Sequence, residues 1–213
     1  MIKVNEIFKS LQGESSYMGL PCVFVRLTGC NLRCSWCDTE YAYDNGADYT
    51  MEELISSIER FDVKLVEFTG GEPLLQKGEL IPLIEYLLSK DYKILLETNG
   101  SIRLNDIPKE VVKIVDIKLK GSGEGDTFLT DNLNLIEKKD EIKFVLSNIS
   151  DYNEMKNIIK KYHLEKNKSI LISRVFNSEL TNEQLADKLL DDGLNVRFQI
   201  QQHKLIWGDK QGK

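Results

Sequence analysis

Three cysteines fall within eight residues, Cys30, Cys34 and Cys37, directly after the β-rich run Cys22-Val23-Phe24-Val25-Arg26-Leu27. Three thiolates at C-x3-C-x2-C spacing can wrap one face of an iron–sulfur cube. A [4Fe–4S] cluster held by protein alone takes four cysteines. The fourth, Cys22, lies eight residues before the triplet and inside the strand-like run. One iron would therefore stay open for an outside ligand. The alternatives are a zinc site and inert thiols. A zinc site completed by histidine would need His163 or His203, both far along the chain and neither at a finger spacing.

Clustered thiols of this kind belong to a reducing compartment, where they mean metal or redox chemistry rather than disulfides. The start, Met1-Ile2-Lys3-Val4-Asn5-Glu6, has no apolar leader segment. No apolar run approaches the roughly 20 residues that cross a bilayer. The expectation is a cytoplasmic protein with no membrane partner. A net charge of −6 argues against a general nucleic-acid surface. A chain of 213 residues can bury a sizeable core. It is short for a complete eight-fold β/α barrel, which usually takes about 250 residues.

Strand-like and helical stretches alternate. Strands are expected at 4–8, 22–27, 64–69, 93–97, 111–118, 141–146, 169–174 and 195–201. Thr50-Met51-Glu52-Glu53 and Thr181-Asn182-Glu183-Gln184 are capping boxes that open helices to about Arg60 and Asp191. Further helices are expected at about 76–89, with Pro82 as a kink or restart, and at 150–162. No repeat, low-complexity segment or linker divides residues 1–213, so a single domain is expected. Alternation of this kind predicts an α/β fold with a parallel sheet. About six parallel strands fit, which gives a partial, open β/α barrel. In such folds the site lies at the C-terminal ends of the strands. The cysteine loop, Gly70-Gly71-Glu72-Pro73, Thr98-Asn99-Gly100 and the end of Asp116-Ile117-Lys118 all fall there.

Each of these motifs has a plain reading beside a functional one. Gly70-Gly71 lets a ligand approach the backbone, but many strands end in such turns. Asp116 and Lys118 either face solvent or hydrogen-bond a ribose or carboxylate. Arg26 sits among apolar residues, where an unpaired charge is costly. It serves either a structural salt bridge with Glu14 or a bidentate grip on a substrate. Cys22 reads as a packed thiol. His203, on its own, reads as filler.

Taken together the residues resemble the 7-carboxy-7-deazaguanine synthase family, small radical-SAM (S-adenosylmethionine) enzymes of queuosine and deazapurine biosynthesis. The likeness covers nearly the whole chain. It rests on Gln12-Gly13-Glu14, on Phe24-Val25-Arg26-Leu27-Thr28-Gly29-Cys30 through Cys37-Asp38-Thr39, on Thr69-Gly70-Gly71-Glu72-Pro73, on Glu97-Thr98-Asn99-Gly100, on Lys143-Phe144-Val145 and on His203-Lys204-Leu205-Ile206-Trp207. The resemblance implies conversion of 6-carboxy-5,6,7,8-tetrahydropterin to 7-carboxy-7-deazaguanine with loss of ammonia. It implies a radical-SAM partial barrel and a radical generated from SAM at the cluster, with no side chain as acid or base. It implies that Cys30, Cys34 and Cys37 hold the [4Fe–4S] cluster and that Thr39 binds Mg²⁺. Gln12, Gly13, Glu14, Arg26, Thr69, His203 and the terminal Lys213 would hold the pterin. Trp36, Cys37, Asp38, Gly71, Asp116, Lys118 and Ser173 would hold SAM. It further implies a homodimer and an electron donor such as a flavodoxin or ferredoxin. The chain departs from the family pattern at Asp116-Ile117, where many members have Ser-Pro, and at its end, Gln211-Gly212-Lys213.

Two rival functions remain at this point. A glycyl-radical activating enzyme has the same cysteine spacing and would act on a backbone glycine. A non-catalytic iron–sulfur or zinc module would need neither the Gly70–Pro73 loop nor a SAM pocket.

Overall fold

The structure is a computed structural model and describes residues 1–166 and 168–213. In chain order the elements are β1 (Ile2–Leu11), β2 (Pro21–Leu27), β3 (Ala47–Tyr49), α1 (Met51–Glu59), β4 (Leu65–Gly70), α2 (Lys77–Ser89), β5 (Lys93–Thr98), β6 (Val112–Asp116), β7 (Glu141–Leu146), α3 (Ile149–Tyr162), β8 (Ser169–Arg174), α4 (Asn182–Asp192), β9 (Arg197–Phe198) and α5 (Gln202–Trp207). The strands form one sheet in the order β3-β1-β2-β4-β5-β6-β7-β8-β9. From β2 onward each strand is parallel to its neighbour, and β1 and β3 are antiparallel.

The sheet is open and mostly parallel, as expected, but among the described residues it has nine strands rather than about six. Six of them, β2 and β4 to β8, are the full-length parallel set. The surplus comes from the two-residue β9, the three-residue β3 and the ten-residue β1. The expected last strand at 195–201 shrinks to Arg197–Phe198, and the chain then turns into α5. Gln202, Lys204 and Leu205 are good helix formers. Gly208, at φ +65°, ends that helix. The helix α2 runs from Lys77 to Ser89 through Pro82, after a 3-10 turn at Pro73–Gln76.

Helix starts follow their caps. The Thr50 hydroxyl accepts the Glu53 N–H, and the Glu53 carboxylate accepts the Thr50 N–H. Thr181 and Gln184 do the same for α4. The apolar stripes of these helices, such as Leu54 and Ile58 or Leu83 and Leu87, cover one face of the sheet. There Val25, Phe68, Leu96, Phe144 and Ile172 are all fully buried in one cluster.

The opposite face is different. Near the strand starts Cys22, Leu65, Leu95, Val112 and Ile114 form a second, smaller apolar cluster. Further along the same strands, in step with the period of two, come Arg26, Thr69, Glu97 and Asp116, with Lys143 opposite Asp116 on the neighbouring β7. An apolar floor thus carries a polar wall. Ser15, four residues past β1, donates its N–H to Gln199 Oε1 beyond β9 at 3.0 Å. From β2 to β9 the sheet takes six steps, which would span about 29 Å if flat. The sheet must therefore curl around its polar face. No described helix is long and apolar enough to cross a membrane.

Candidate active site

The polar face encloses a cavity of about 560 Å³, and Cys30, Cys34 and Cys37 line it. Their loop is held mainly through its backbone; of the thiols, Cys30 Sγ accepts the Leu32 N–H at 3.4 Å and Cys37 Sγ lies 3.7 Å from the Thr39 hydroxyl. Ser35 N–H donates to Ser122 O at 2.9 Å, and Arg33 N–H to Glu124 Oε1 at 2.7 Å. The Arg33 guanidinium caps the Cys30 and Leu32 carbonyls and lies over the Tyr43 ring. Burial pushes the Cys34 thiol up to about 11, against the pull of Lys118. Burial also raises Cys30. Metal ligation would hold both as thiolates. Among the described residues no three His, Cys, Asp or Glu side chains converge on a single ion. Three half-buried thiols lining one cavity at this spacing can hold three irons of a cluster and leave the fourth open.

Beside the thiols stands the end of β4. A Cβ on Gly71 would meet Gly29 O at 2.1 Å and Cys30 Cβ at 2.7 Å, so only glycine lets this strand end touch the cysteine loop. Glu72, fully buried, accepts from Leu74 N–H, Asn99 N–H and the Thr98 hydroxyl. It ties the β4 turn to the β5 turn. Asp116 Oδ2 binds Lys118 Nζ at 2.7 Å, and that ammonium lies 5.0 Å from the Trp36 ring centroid. Asp116 Oδ1 and Trp36 Nε1 are buried without a partner in residues that line the cavity. Unused buried donors and acceptors beside three free thiols fit a polar organic ligand on a cluster. Thr39 lines the same cavity, and its side chain makes no helix-capping bond.

Deeper in the cavity lies a charged network. Lys143 of β7 pairs with Glu14 and, at 2.7 Å, with Glu97. Glu97 also accepts from the Thr69 hydroxyl at 3.0 Å. Burial alone would raise the Glu97 carboxyl, but Lys143 overrides it and holds it down to about 2. Glu14 and Glu97 in turn raise Lys143 well above its usual range, against burial. Arg26 Nε binds Glu6 Oε1 at 2.8 Å, and the Tyr41 hydroxyl donates to the same oxygen. The expected Arg26–Glu14 bridge is absent, because the antiparallel register places Glu6 opposite Arg26 and β7 claims Glu14.

The remaining wall comes from the two ends of the chain. The β1–β2 loop starts opposite Pro21, at the N-terminal end of the parallel strands. Ser16 N–H donates to Glu141 Oε1 at the start of β7. From the other end, Gln201 Nε2 donates to Glu14 Oε1 at 2.7 Å and Gln202 N–H to Gly13 O at 2.9 Å. A Cβ on Gly13 would lie 2.1 Å from His203 Nδ1. Burial lowers the His203 imidazole. Lys204 Nζ reaches Asp38 Oδ2 of the cysteine loop at 3.1 Å. Lys213 also lines the cavity.

Residues 24–159 match the family model for the Radical SAM superfamily. The chain is 43% identical to the 7-carboxy-7-deazaguanine synthase of Koribacter versatilis, over 97% of both chains. It is 39% identical to the protein of that name from Chlorobaculum tepidum, over 97% of this chain and 94% of that one. The chain belongs to the 7-carboxy-7-deazaguanine synthase family of the radical SAM superfamily. Its fold is similar to the crystal structure of QueE from Escherichia coli, with a TM-score of 0.76, 22% identity and 93% of each chain covered.

Of the residues this family likeness singles out, the cavity brings together Gln12, Gly13, Glu14, Arg26, Trp36, Asp38, Thr39, Thr69, Gly71, Asp116, Lys118, His203 and Lys213 with the three cysteines. Ser173 is not among the lining residues; it sits on β8 beside Val145, its buried Oγ without a partner. Cys22 is fully buried in the apolar floor, and burial raises its thiol far above the usual range. Sequence reasoning missed Glu6 and Tyr41, which hold Arg26 in place, and Glu67 of β4, which lines the cavity and accepts from Gln12 Nε2. It also gave no role to Glu97, Lys143 or Gln201, which knit the wall together. Glu67 and Lys143 carried the same signal as Arg26, a charge in the middle of an apolar strand.

Proposed function

We propose that this chain, as one unit over 1–213, converts 6-carboxy-5,6,7,8-tetrahydropterin to 7-carboxy-7-deazaguanine with loss of ammonia. The observation that carries this reading is the meeting in one cavity of the cysteine loop, the Gly71 turn and the Gln12-Gly13-Glu14 and His203 segments. A bare iron–sulfur or zinc module has no need of the last two. Cys30, Cys34 and Cys37 would hold the cluster. Gly71, Asp116, Lys118, Trp36 and Asp38 would hold SAM beside it. When bound, the pair supplies a carbon-centred radical able to take hydrogen from the substrate.

The chain's own residues would bind, orient and enclose. Arg26, its charge steadied by Glu6, can grip a carboxylate or a polar ring edge. Thr69, Glu14 and His203 line the same space. Thr39, with its hydroxyl free of capping, would join Mg²⁺, a hard cation suited to hydroxyl, water and carboxylate oxygens. A flavodoxin or ferredoxin would deliver the electron, and a homodimer is the assembly to test by sedimentation. Anaerobic incubation with SAM, dithionite, Mg²⁺ and the carboxytetrahydropterin, followed by mass spectrometry, tests the function. Formation of 7-carboxy-7-deazaguanine supports it. SAM cleavage without that product, with the pterin left unchanged, overturns it.

A further inference from the structure

One carboxyl in the cavity has no part in the roles above. Glu67 sits in the middle of β4, in register between Phe24 of β2 and Leu95 of β5. It lines the cavity and is only 2% exposed. A carboxyl held against an apolar floor is costly unless it is hydrogen-bonded. Glu67 Oε2 accepts from Gln12 Nε2 at 2.7 Å. Gln12 Oε1 in turn accepts the Glu14 N–H at 2.5 Å. These two bonds fix which way the Gln12 amide points, its oxygen toward Glu14 and its nitrogen toward β4.

We propose that Glu67 is a positioning residue for the substrate, holding the Gln12 amide in one orientation and offering its second oxygen to the polar edge of the pterin. The inference rests on the reading that the pterin lies against Gln12. The groups that face Glu67 are Gln12 and Glu14 from the loop after β1, Cys22 from β2, Glu97 from β5 and Lys143 from β7. Lys143, the cation that acts on it most, is committed to Glu14 and Glu97. Burial, reinforced by Glu97, pushes the Glu67 carboxyl up to about 8. Near neutral pH that upward shift favours the protonated form. Since Oε2 accepts from Gln12, its proton belongs on the other oxygen, as a donor. Ionisation removes that donor and sets a third carboxylate beside Glu14 and Glu97.

The test uses the anaerobically reconstituted full chain with SAM bound, and measures pterin Kd at about pH 7 and about pH 9, on either side of the Glu67 ionisation. A group that titrates at about 8 is roughly one-tenth protonated at pH 9. Wild type should lose roughly 10-fold in affinity between the two. Glu67→Gln, which can still accept from Gln12 and still donate, should match wild type at pH 7 and lose little at pH 9. Glu67→Leu should bind roughly 10-fold more weakly at both. SAM affinity and cluster absorbance should stay unchanged in all three. An equal fall in Glu67→Gln, or no fall in wild type, overturns the inference; this comparison decides even where Glu67→Leu does not fold. Pterin binding with the wrong pH profile sinks the inference alone. No pterin binding by wild type at either pH sinks the functional reading together with it.

Discussion

Cys22 and the triplet carry the same side chain in two environments. Cys22 is packed at 0% exposure among Leu65, Leu95 and Ile114, whereas Cys30, Cys34 and Cys37 are half-buried and line the cavity. Replacing any of the three by Ala should abolish cluster binding and SAM cleavage. Cys22→Ala should keep both and lose about 1 kcal/mol of stability through the small void it leaves. Iron content, SAM cleavage and a urea titration on the four variants check this. Thr39 admits a parallel test. Its hydroxyl lies 3.7 Å from Cys37 Sγ and caps nothing. Thr39→Ala should raise the Mg²⁺ concentration needed for half-maximal turnover several-fold and leave cluster absorbance intact; an unchanged Mg²⁺ titration removes Thr39 from the metal. At this scale the sequence was informative about which residues matter and poor on their partners. The mid-strand charge of Arg26 announces a need for a partner, but only the β1–β2 register says that it is Glu6. The same announcement by Glu67 in Leu65-Val66-Glu67-Phe68 is drowned out by the stronger motif that follows it.

The turns and loops between the strands are held by single buried groups, and two of these are separable by mutation. Glu72 joins the β4 turn to the β5 turn by accepting from Leu74, Thr98 and Asn99. Glu72→Ala leaves the Asn99 N–H and the Thr98 hydroxyl buried without an acceptor. The expected cost is about 3 kcal/mol, read as a lower urea midpoint with an unchanged slope. Gly13 tests the loop against α5. An added Cβ would meet not only His203 Nδ1 but also its Cγ and Cβ, at 2.8 and 2.9 Å. Rotating the ring does not relieve that contact, so α5 must shift. Gly13→Ala should therefore raise pterin Kd roughly 10-fold while iron content stays at the wild-type level. Faster hydrogen exchange at 202–207 would accompany it. The helices were legible because their capping boxes are local. The segment around β9 was not. Apolar Val196, Phe198 and Ile200 alternate as a strand would, yet only Arg197–Phe198 pair with β8, and the chain then leaves the sheet to meet Gly13 O through the Gln202 N–H.

Across the whole molecule, an open sheet gains a cavity walled on its polar side because the loop after β1 and the segment after β9 meet across it. Alternation of strands and helices makes the parallel set legible, since each parallel pair needs a crossover. Curl and closure are not legible, because they rest on bonds between residues as far apart as Ser15 and Gln199. The tail leaves β9, passes Gly13, reaches Asp38 through Lys204 and ends with Lys213 at the cavity. On the way Gly212 comes back to β1, where a Cβ would lie 3.9 Å from Glu6 Oε2. That carboxylate is the partner of Arg26. The last residues thus lie at the end of the cavity where Glu6 holds Arg26, a proposed pterin contact. Removing Gly212 and Lys213 should open that end to water and raise pterin KM roughly 10-fold. SAM affinity, iron content and uncoupled SAM cleavage should hold at wild-type values. The two readouts divide the cavity into its halves. Loss of SAM cleavage on truncation would mean that the tail supports the cysteine loop through Lys204 rather than the substrate. An unchanged KM would mean that the chain end lies over the site without touching what binds there.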